Sequence, residues 1–358
     1  MRCPSSASAG AFELRPSRGG AIGQSGILPA AMSDEPLREP VGPGPGGTGR
    51  QWRPVTRVLL YLVLFLVLQL AVGLPALLVW AVLTGTNPLL LARQPGGAAE
   101  LSLFVYACLA PVLVPLTVVY ARWLDGKWPE ALGARLPAGG GRAAARQAGV
   151  SLAAVAGVLG LWLAAAALPG ELVYGGLADG FREGAGPLRG SGGGAALLGV
   201  LLAAFLVQGG VEEWVFRGYV FRTLRDRWSW ASAAGASSLA FAVLHSLNPS
   251  VAPAGLVNTF LLGLVLAAVA ELTGSLLAPV VLHGWWNFSL ACLLSLPVSG
   301  ARLFHLLDLE VRGPEAVSGG DYGPEGSWVL TGLLVPIVVA LAVRVDRRGV
   351  AAGGAYSA

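Results

Sequence analysis

Long apolar runs, each of membrane-spanning length, dominate this chain of 358 residues. A run of about 17–25 apolar residues is long enough to cross a bilayer as a helix, and in lipid a helix satisfies its own backbone hydrogen bonds. The sequence therefore predicts an all-α, polytopic integral membrane protein with about eight transmembrane helices. The predicted spans are 58–83, 101–121, 148–168, 195–214, 230–247, 254–272, 275–297 and 328–343.

Composition supports the same class and argues against others. Hydrophobic residues make up 54% of the chain and charged residues 12%, which is outside the usual balance of a soluble domain. The net charge is +4, but the basic residues are spread among short loops, so no nucleic-acid partner is predicted. Two of the three cysteines lie inside predicted spans without a repeated spacing, which argues against a disulfide framework or a zinc knuckle.

The basic residues alternate between loops and so predict an orientation. Arginines and one lysine cluster before the first span and after the second, fourth and eighth, whereas the longer loops between them are weakly acidic. The positive-inside rule then puts both termini in the cytoplasm, in a bacterial-type inner (plasma) membrane.

The chain is predicted to contain one transmembrane domain between two tails. Residues 1–55 are rich in Gly, Pro, Ser and Arg and are expected to form a disordered cytoplasmic tail. The transmembrane domain is predicted over 56–345, with its core motifs in 195–297, and residues 346–358 form a short cytoplasmic tail. Met32 is the only methionine besides Met1, and we expect it to be an alternative translation start, which an N-terminal peptide from residues 2–31 would contradict.

Three short patterns place polar residues inside the apolar runs, each on a different predicted helix. They are Glu212-Glu213-x-x-x-Arg217, Phe241-x-x-x-His245 and His283-x-x-x-Asn287. Residues four apart share a helical face, and ionisable residues inside a membrane span indicate a functional site by default. Glu213 is predicted to pair with Arg217, which leaves Glu212, about 100° away around the helix, free for another task.

Antiparallel packing of these helices predicts that the three patterns meet in one layer inside the bilayer, below its cytoplasmic surface. There Glu212 would act as a general base on a water held jointly with His245. His283 and Asn287 would donate hydrogen bonds to the oxyanion that forms when this water attacks a carbonyl. The predicted chemistry is hydrolysis of a peptide or ester without a covalent intermediate.

Other interpretations of these residues stay open. Glu212, His245 and His283 would also suit a divalent metal such as zinc with an open fourth position, although no His-Glu-x-x-His run is present. The Glu213–Arg217 pair could be a structural clasp and a buried histidine a hydrogen-bonding strut. A proton-coupled transporter also uses Glu, Arg and His within the membrane, but no repeat relates the two halves of this chain.

The three patterns, in this order and all on membrane helices, resemble the CPBP family of intramembrane proteases, which includes the type II CAAX prenyl endopeptidases and Abi-type bacteriocin-immunity proteins. The sequence fits the family pattern without a departure, in its motifs over 195–297 and in its helix layout over 58–343. The resemblance implies that Glu212 and His245 activate water and that His283 and Asn287 stabilise the oxyanion. It gives supporting roles to Glu213, Arg217 and Phe241.

On this resemblance, the chain is predicted to be an intramembrane endopeptidase of the glutamate or metalloprotease type. Its expected partners are membrane lipid and a membrane-associated or lipidated peptide, with a prenylated CAAX-type protein as one candidate. A non-catalytic immunity or scaffolding role is the alternative from another class, together with the transporter, because a fold alone does not fix a function.

Overall fold

The computed structural model describes residues 54–91, 97–177, 194–302 and 306–354, and these residues are mostly helical. Most of the predicted tail at 1–55 therefore lies outside the described residues. Eight of the described helices, α1 to α8, lie at the positions of the eight apolar runs. Their bounds are α1 Pro54–Thr84, α2 Gly97–Asp125, α3 Gly140–Ala167, α4 Gly194–Glu213, α5 Trp230–His245, α6 Pro253–Thr273, α7 Leu277–Phe288 and α8 Trp328–Gly354.

Six of the described helices are long and apolar enough to cross a membrane, namely α1, α2, α3, α4, α6 and α8. Helix α5 has only 16 residues, and the apolar helix over Leu277–Leu293 is also shorter than a usual span. Pro249 and Pro253 follow α5 closely, and proline lacks the backbone N–H that a longer α5 would need. The polytopic all-α class is thus confirmed, whereas the number of eight spans is not.

Helices α4 and α7 both continue as π-helices beyond their α-helical parts. After Glu213, α4 runs on through a π-helical segment, Trp214–Phe221, and a last turn, Arg222–Arg225. A second π-helical segment, Ser289–Leu293, follows α7. The first segment follows Glu213 and contains Arg217, and the second begins two residues after Asn287. Turns of π-helix occur frequently at functional sites.

Two glycines let α4 and α7 pack with their backbones in contact. A Cβ atom at Gly209 of α4 would stand 3.1 Å from the backbone nitrogen of Gly284 in α7, and one at Gly284 would stand 3.0 Å from the carbonyl oxygen of Phe205. Small residues at a helix interface allow such close approach in membranes. This crossing lies one turn before Glu212 and beside His283, so it sets the distance between their helices.

The loops after α3 and before α8 are joined by a two-stranded antiparallel sheet. Strand β1, Glu171–Leu177, pairs with β2, Leu307–Arg312, with Glu171 opposite Arg312 and Leu177 opposite Leu307. This pairing was not predicted: Leu307–Arg312 alternates between apolar and polar residues, as a half-buried strand does, but Glu171–Leu177 contains two glycines and does not alternate. Three short helical turns, Glu315–Ser318, Gly320–Tyr322 and Pro324–Gly326, connect β2 to α8. Helix α8 then continues to Gly354, beyond the predicted domain end at residue 345.

Candidate active site

Glu213 lies at the centre of a buried three-residue cluster. It is fully buried, as is Arg217, and its Oε1 accepts a hydrogen bond from Arg217 Nη1 at 2.9 Å. The same oxygen accepts from His283 Nδ1, also at 2.9 Å, across the crossing of α4 and α7. Arg217 also donates from Nη2 to the carbonyl oxygen of Gly263 in α6, at 3.0 Å. The predicted Glu213–Arg217 pair is present, and it is connected to two further helices.

Glu212 is held by a different set of partners. Its Oε1 accepts hydrogen bonds from Tyr106 Oη in α2, at 2.8 Å, and from Gln208 Nε2 in α4, at 2.6 Å. Its Oε2 lies 3.7 Å from His283 Nε2 and is buried, with no hydrogen-bond partner among the described residues. The two oxygens are therefore distinct, because one is fixed by two donors and the other is directed toward an imidazole.

His283 connects the two glutamates through its two ring nitrogens. Because a carboxylate oxygen only accepts, the 2.9 Å contact with Glu213 assigns a proton to Nδ1. This leaves Nε2 directed toward Glu212, at the 3.7 Å separation. A histidine whose first nitrogen is fixed by a carboxylate has a defined ring orientation, which sets where its second nitrogen points.

His245 is fixed within its own helix rather than by a glutamate. Its Nδ1 lies 2.9 Å from the carbonyl oxygen of Phe241, four residues earlier, so this nitrogen is the donor and Nε2 is left as an acceptor. In the described part of the chain, no hydrogen bond or ion pair joins His245 to Glu212. The imidazole nearest to the Glu212 carboxylate is that of His283, and a water held jointly by Glu212 and His245 stays a prediction.

The ring of Phe241 brings the two histidines to one place. Its centroid lies 4.2 Å from that of His245 and 5.9 Å from that of His283, and the guanidinium carbon of Arg217 lies 4.6 Å from the same ring. Phe241 is buried to 3% exposure. It is thus core packing, as its apolar character suggests, but this packing contacts three of the motif side chains.

Asn287 reaches the site through an amide relay. Its Nδ2 donates to Gln208 Oε1 at 3.0 Å, and Gln208 Nε2 donates in turn to Glu212 Oε1. An amide nitrogen carries two hydrogens, so Asn287 retains a second donor.

Sequence reasoning missed Tyr106 and Gln208. Gln208 gave a usable signal, because it stands four residues before Glu212 in an otherwise apolar helix and so shares its face. Tyr106 lies 106 residues away along the chain and has no such spacing relationship to Glu212. Only the packing of α2 against α4 brings it to the carboxylate.

The possible zinc site at Glu212, His245 and His283 is not assembled as a ligand set. Among the described residues, no group of three His, Cys, Asp or Glu side chains is placed to hold a metal ion. Glu212 and His283 lie close together, and both histidines use Nδ1 for a hydrogen bond, to a carboxylate and to a backbone carbonyl, so that Nε2 of each is not used in these bonds. A metal bound by these side chains stays a prediction.

Comparison with known proteins finds similarity in the part of the chain that carries these residues. Residues 194–289 match the model of a family described as type II CAAX prenyl endopeptidase Rce1-like. Over 85 residues the chain is 35% identical to an uncharacterised 24.3 kDa protein of Escherichia coli, a match that covers 23% of this chain and only 38% of that relative. No solved structure matches the chain. The matched region includes Glu212, His245, His283 and Asn287, so the part of the chain that carries the candidate site is similar to this family.

Proposed function

We propose that this protein is an intramembrane endopeptidase that hydrolyses a peptide bond with water activated by protein side chains. One observation carries the proposal: Glu212 Oε2 is a buried carboxylate oxygen, without a hydrogen-bond partner among the described residues, 3.7 Å from His283 Nε2. Water within hydrogen-bonding reach of Oε2 would adjoin a base on one side and an imidazole on the other.

In the proposed reaction Glu212 is the general base. It takes one proton from water while the oxygen attacks the carbonyl carbon of the substrate, which gives a tetrahedral oxyanion. When the carbon–nitrogen bond breaks, Glu212 returns the proton to the departing amine. His245, whose Nδ1 donates to Phe241, presents Nε2 as a second acceptor for the same water.

His283 and Asn287 are the proposed oxyanion donors. Glu212, Glu213 and Arg217 together carry one net negative charge, so an imidazolium at His283 balances the buried cluster. In that form His283 donates through Nδ1 to Glu213 and retains an Nε2 proton for the oxyanion. The second amide hydrogen of Asn287 is the other donor, and one such donor contributes about 2.7–4 kcal/mol to the transition state in hydrolases.

We also propose that all eight helices traverse the membrane, including the short α5 and α7. Near the start of α6, Asn258 donates to the carbonyl oxygen of Glu325, which lies in the segment between β2 and α8. The start of α6 is therefore on the same side of the helices as the β1–β2 sheet. At the end of α6, Gly274 accepts from Arg135, in the loop between α2 and α3, at 2.9 Å. Helix α6 therefore runs between the two sides, so α5 has to bring the chain to its start and α7 has to return it to β2. With the basic loops inside, both termini are cytoplasmic.

The first substrate class to test is a prenylated CAAX-type peptide, because the matching family is described as type II CAAX prenyl endopeptidase. A site buried among membrane helices favours substrates that partition into lipid, such as lipidated or membrane-associated peptides, over soluble ones.

The test uses the full chain, purified and reconstituted in liposomes, with a quenched fluorescent farnesylated CAAX peptide and with its unprenylated version. We expect cleavage by the native protein and loss of cleavage in Glu212→Gln and His245→Ala. Glu271→Gln is the matched control, because this glutamate of α6 pairs with Arg225 away from the site. Comparative peptidomics of membranes from cells with the native protein and with Glu212→Gln extends the test to natural substrates.

Three results would oppose the proposal. Full cleavage by the Glu212→Gln variant would refute the mechanism. Solute flux that depends on Glu212, without any peptide product, would indicate a transporter. An immunity phenotype that is undiminished in Glu212→Gln would indicate a scaffold.

A further inference from the structure

We infer that Tyr106 and Gln208 are positioning residues that fix the orientation of the Glu212 carboxylate, and that Gln208 positions Asn287 at the same time. The inference rests on the proposed function, in which Glu212 is the base and Asn287 an oxyanion donor. It concerns two side chains outside the three motifs.

The two donors act on one oxygen only. Tyr106 Oη and Gln208 Nε2 lie 2.8 Å and 2.6 Å from Glu212 Oε1, whereas Oε2 has no hydrogen-bond partner among the described residues. A carboxylate can rotate about its last side-chain bond, whose energy minimum is broad. Two donors from different directions on Oε1 remove this freedom and direct Oε2 toward His283.

The donors also come from different helices. Gln208 stands one turn before Glu212 on α4, and Tyr106 projects from α2. A single donor on the same helix would fix the distance to Oε1 but would let the carboxylate swing about it. Tyr106 supplies a second hydrogen bond from another helix, so the Glu212 carboxylate is held in position relative to both α2 and α4.

Gln208 has a second task because its amide oxygen is also engaged. Oε1 accepts from Asn287 Nδ2 at 3.0 Å while Nε2 donates to Glu212. The direction of this relay sets the amide orientation of Gln208, because the nitrogen has to face the carboxylate and the oxygen has to face Asn287. The proposed base and one proposed oxyanion donor are thus held at a fixed separation by one side chain.

Tyr106→Phe and Gln208→Met test the inference with little change of volume. A hydrogen bond to a charged group contributes enough that its loss should lower kcat about 10- to 100-fold. We expect KM to stay within about twofold, because neither residue is proposed to bind substrate. Tyr120→Phe in α2 and Gln147→Met in α3 are the matched controls, since they make the same changes away from Glu212 and should leave kcat unchanged.

A second measurement does not depend on catalysis. The apolar reagent dicyclohexylcarbodiimide couples to protonated carboxyl groups, and mass spectrometry can assign the label to Glu212. Without either donor the ionised carboxylate is less stabilised, so labelling of Glu212 should rise in both variants and not in the two controls.

The outcomes separate this inference from the proposed function. If labelling of Glu212 rises in both variants but the native protein cleaves no peptide, the positioning role of Tyr106 and Gln208 is supported and the proposed protease activity is rejected. If cleavage needs Glu212 but neither cleavage nor labelling changes in Tyr106→Phe and Gln208→Met, the positioning role is overturned and the proposed protease activity is retained. An equal fall of kcat in the control variants would also overturn it, because the effect would then be one of general stability.

Discussion

His283 Nδ1 donates a 2.9 Å hydrogen bond to Glu213 Oε1, the same oxygen that accepts from Arg217. The glutamate therefore has more than a local role within α4. It neutralises a buried guanidinium and also orients an imidazole from another helix. These two roles can be separated by mutation.

Glu213→Gln should be strongly destabilising, because it removes the carboxylate that is hydrogen-bonded to the buried Arg217 guanidinium. Removal of one partner of a buried pair costs about 3–5 kcal/mol. The double variant Glu213→Gln/Arg217→Met removes both charges and should recover most of this stability. It should not recover peptide cleavage, because His283 still lacks its anionic anchor. Unfolding in mixed micelles and cleavage in liposomes measure the two effects, and recovery of both together would contradict the second role.

Gly284→Ala should separate α4 from α7. The new methyl group would stand 3.0 Å from the backbone of Leu206 and from Phe205 O, where only a movement of the helices can make room. We expect cleavage to fall at least about tenfold and the free energy of unfolding to fall by about 1–3 kcal/mol, as for other overpacked sites. Gly199→Ala in α4 is the control, because a Cβ atom there meets nothing within 4 Å. Equal effects of Gly284→Ala and Gly199→Ala would show that the close contact between α4 and α7 is not required for activity or stability.

Phe241→Leu should reduce cleavage more than its loss of packing explains. The smaller side chain gives up the ring contacts with His245, His283 and Arg217 while it stays apolar. Phe65→Leu is a matched control, since Phe65 is equally buried, at 3% exposure, and has no ring contact with either histidine. Similar losses of stability in the two variants, with a much larger loss of kcat in Phe241→Leu, are the expected result. Equal losses of kcat in Phe241→Leu and Phe65→Leu would show that Phe241 contributes only to core packing.

Glu325→Ala should loosen the segment between β2 and α8. Its buried carboxylate accepts from Trp286 Nε1 at 2.9 Å and from both Ser299 N and Ser299 Oγ at 2.7 Å. The variant leaves these donors unsatisfied, and each buried orphan costs about 1–3 kcal/mol. Glu310→Ala, on the exposed face of β2, should have no measurable effect. Limited proteolysis would report the difference, and unchanged protection in Glu325→Ala would show that these hydrogen bonds do not hold the segment in place.

The sequence was sufficient for the parts of the site that depend on helical periodicity. The Glu213–Arg217 pair and the link from His245 to Phe241 both follow from a spacing of four residues. The approach of α4 and α7 also follows in outline from the depths of the polar motifs. These features are local, or they are set by the length of a helix in a bilayer.

Contacts that depend on side-chain packing between helices could not be predicted. Nothing in the sequence around Tyr106 shows that its hydroxyl group reaches Glu212, and the choice of His283 over His245 depends on the rotation of α7 about its axis. The close crossing at Gly209 and Gly284 controls that rotation. The π-helical segments after Glu213 and Asn287 were likewise missed, because their residues carry no distinct propensity.

The two histidines of the site depend on different levels of structure for their orientation. His245 needs only its own helix, since its partner is a carbonyl oxygen one turn earlier. His283 needs α7 to be docked on α4, and Glu212 needs α2 as well. A chain that has inserted its helices but has not yet assembled them therefore holds a separated base and oxyanion donor. On the proposed function, hydrolysis is impossible until assembly is complete, which protects the nascent protein and its neighbours in the membrane from premature cleavage.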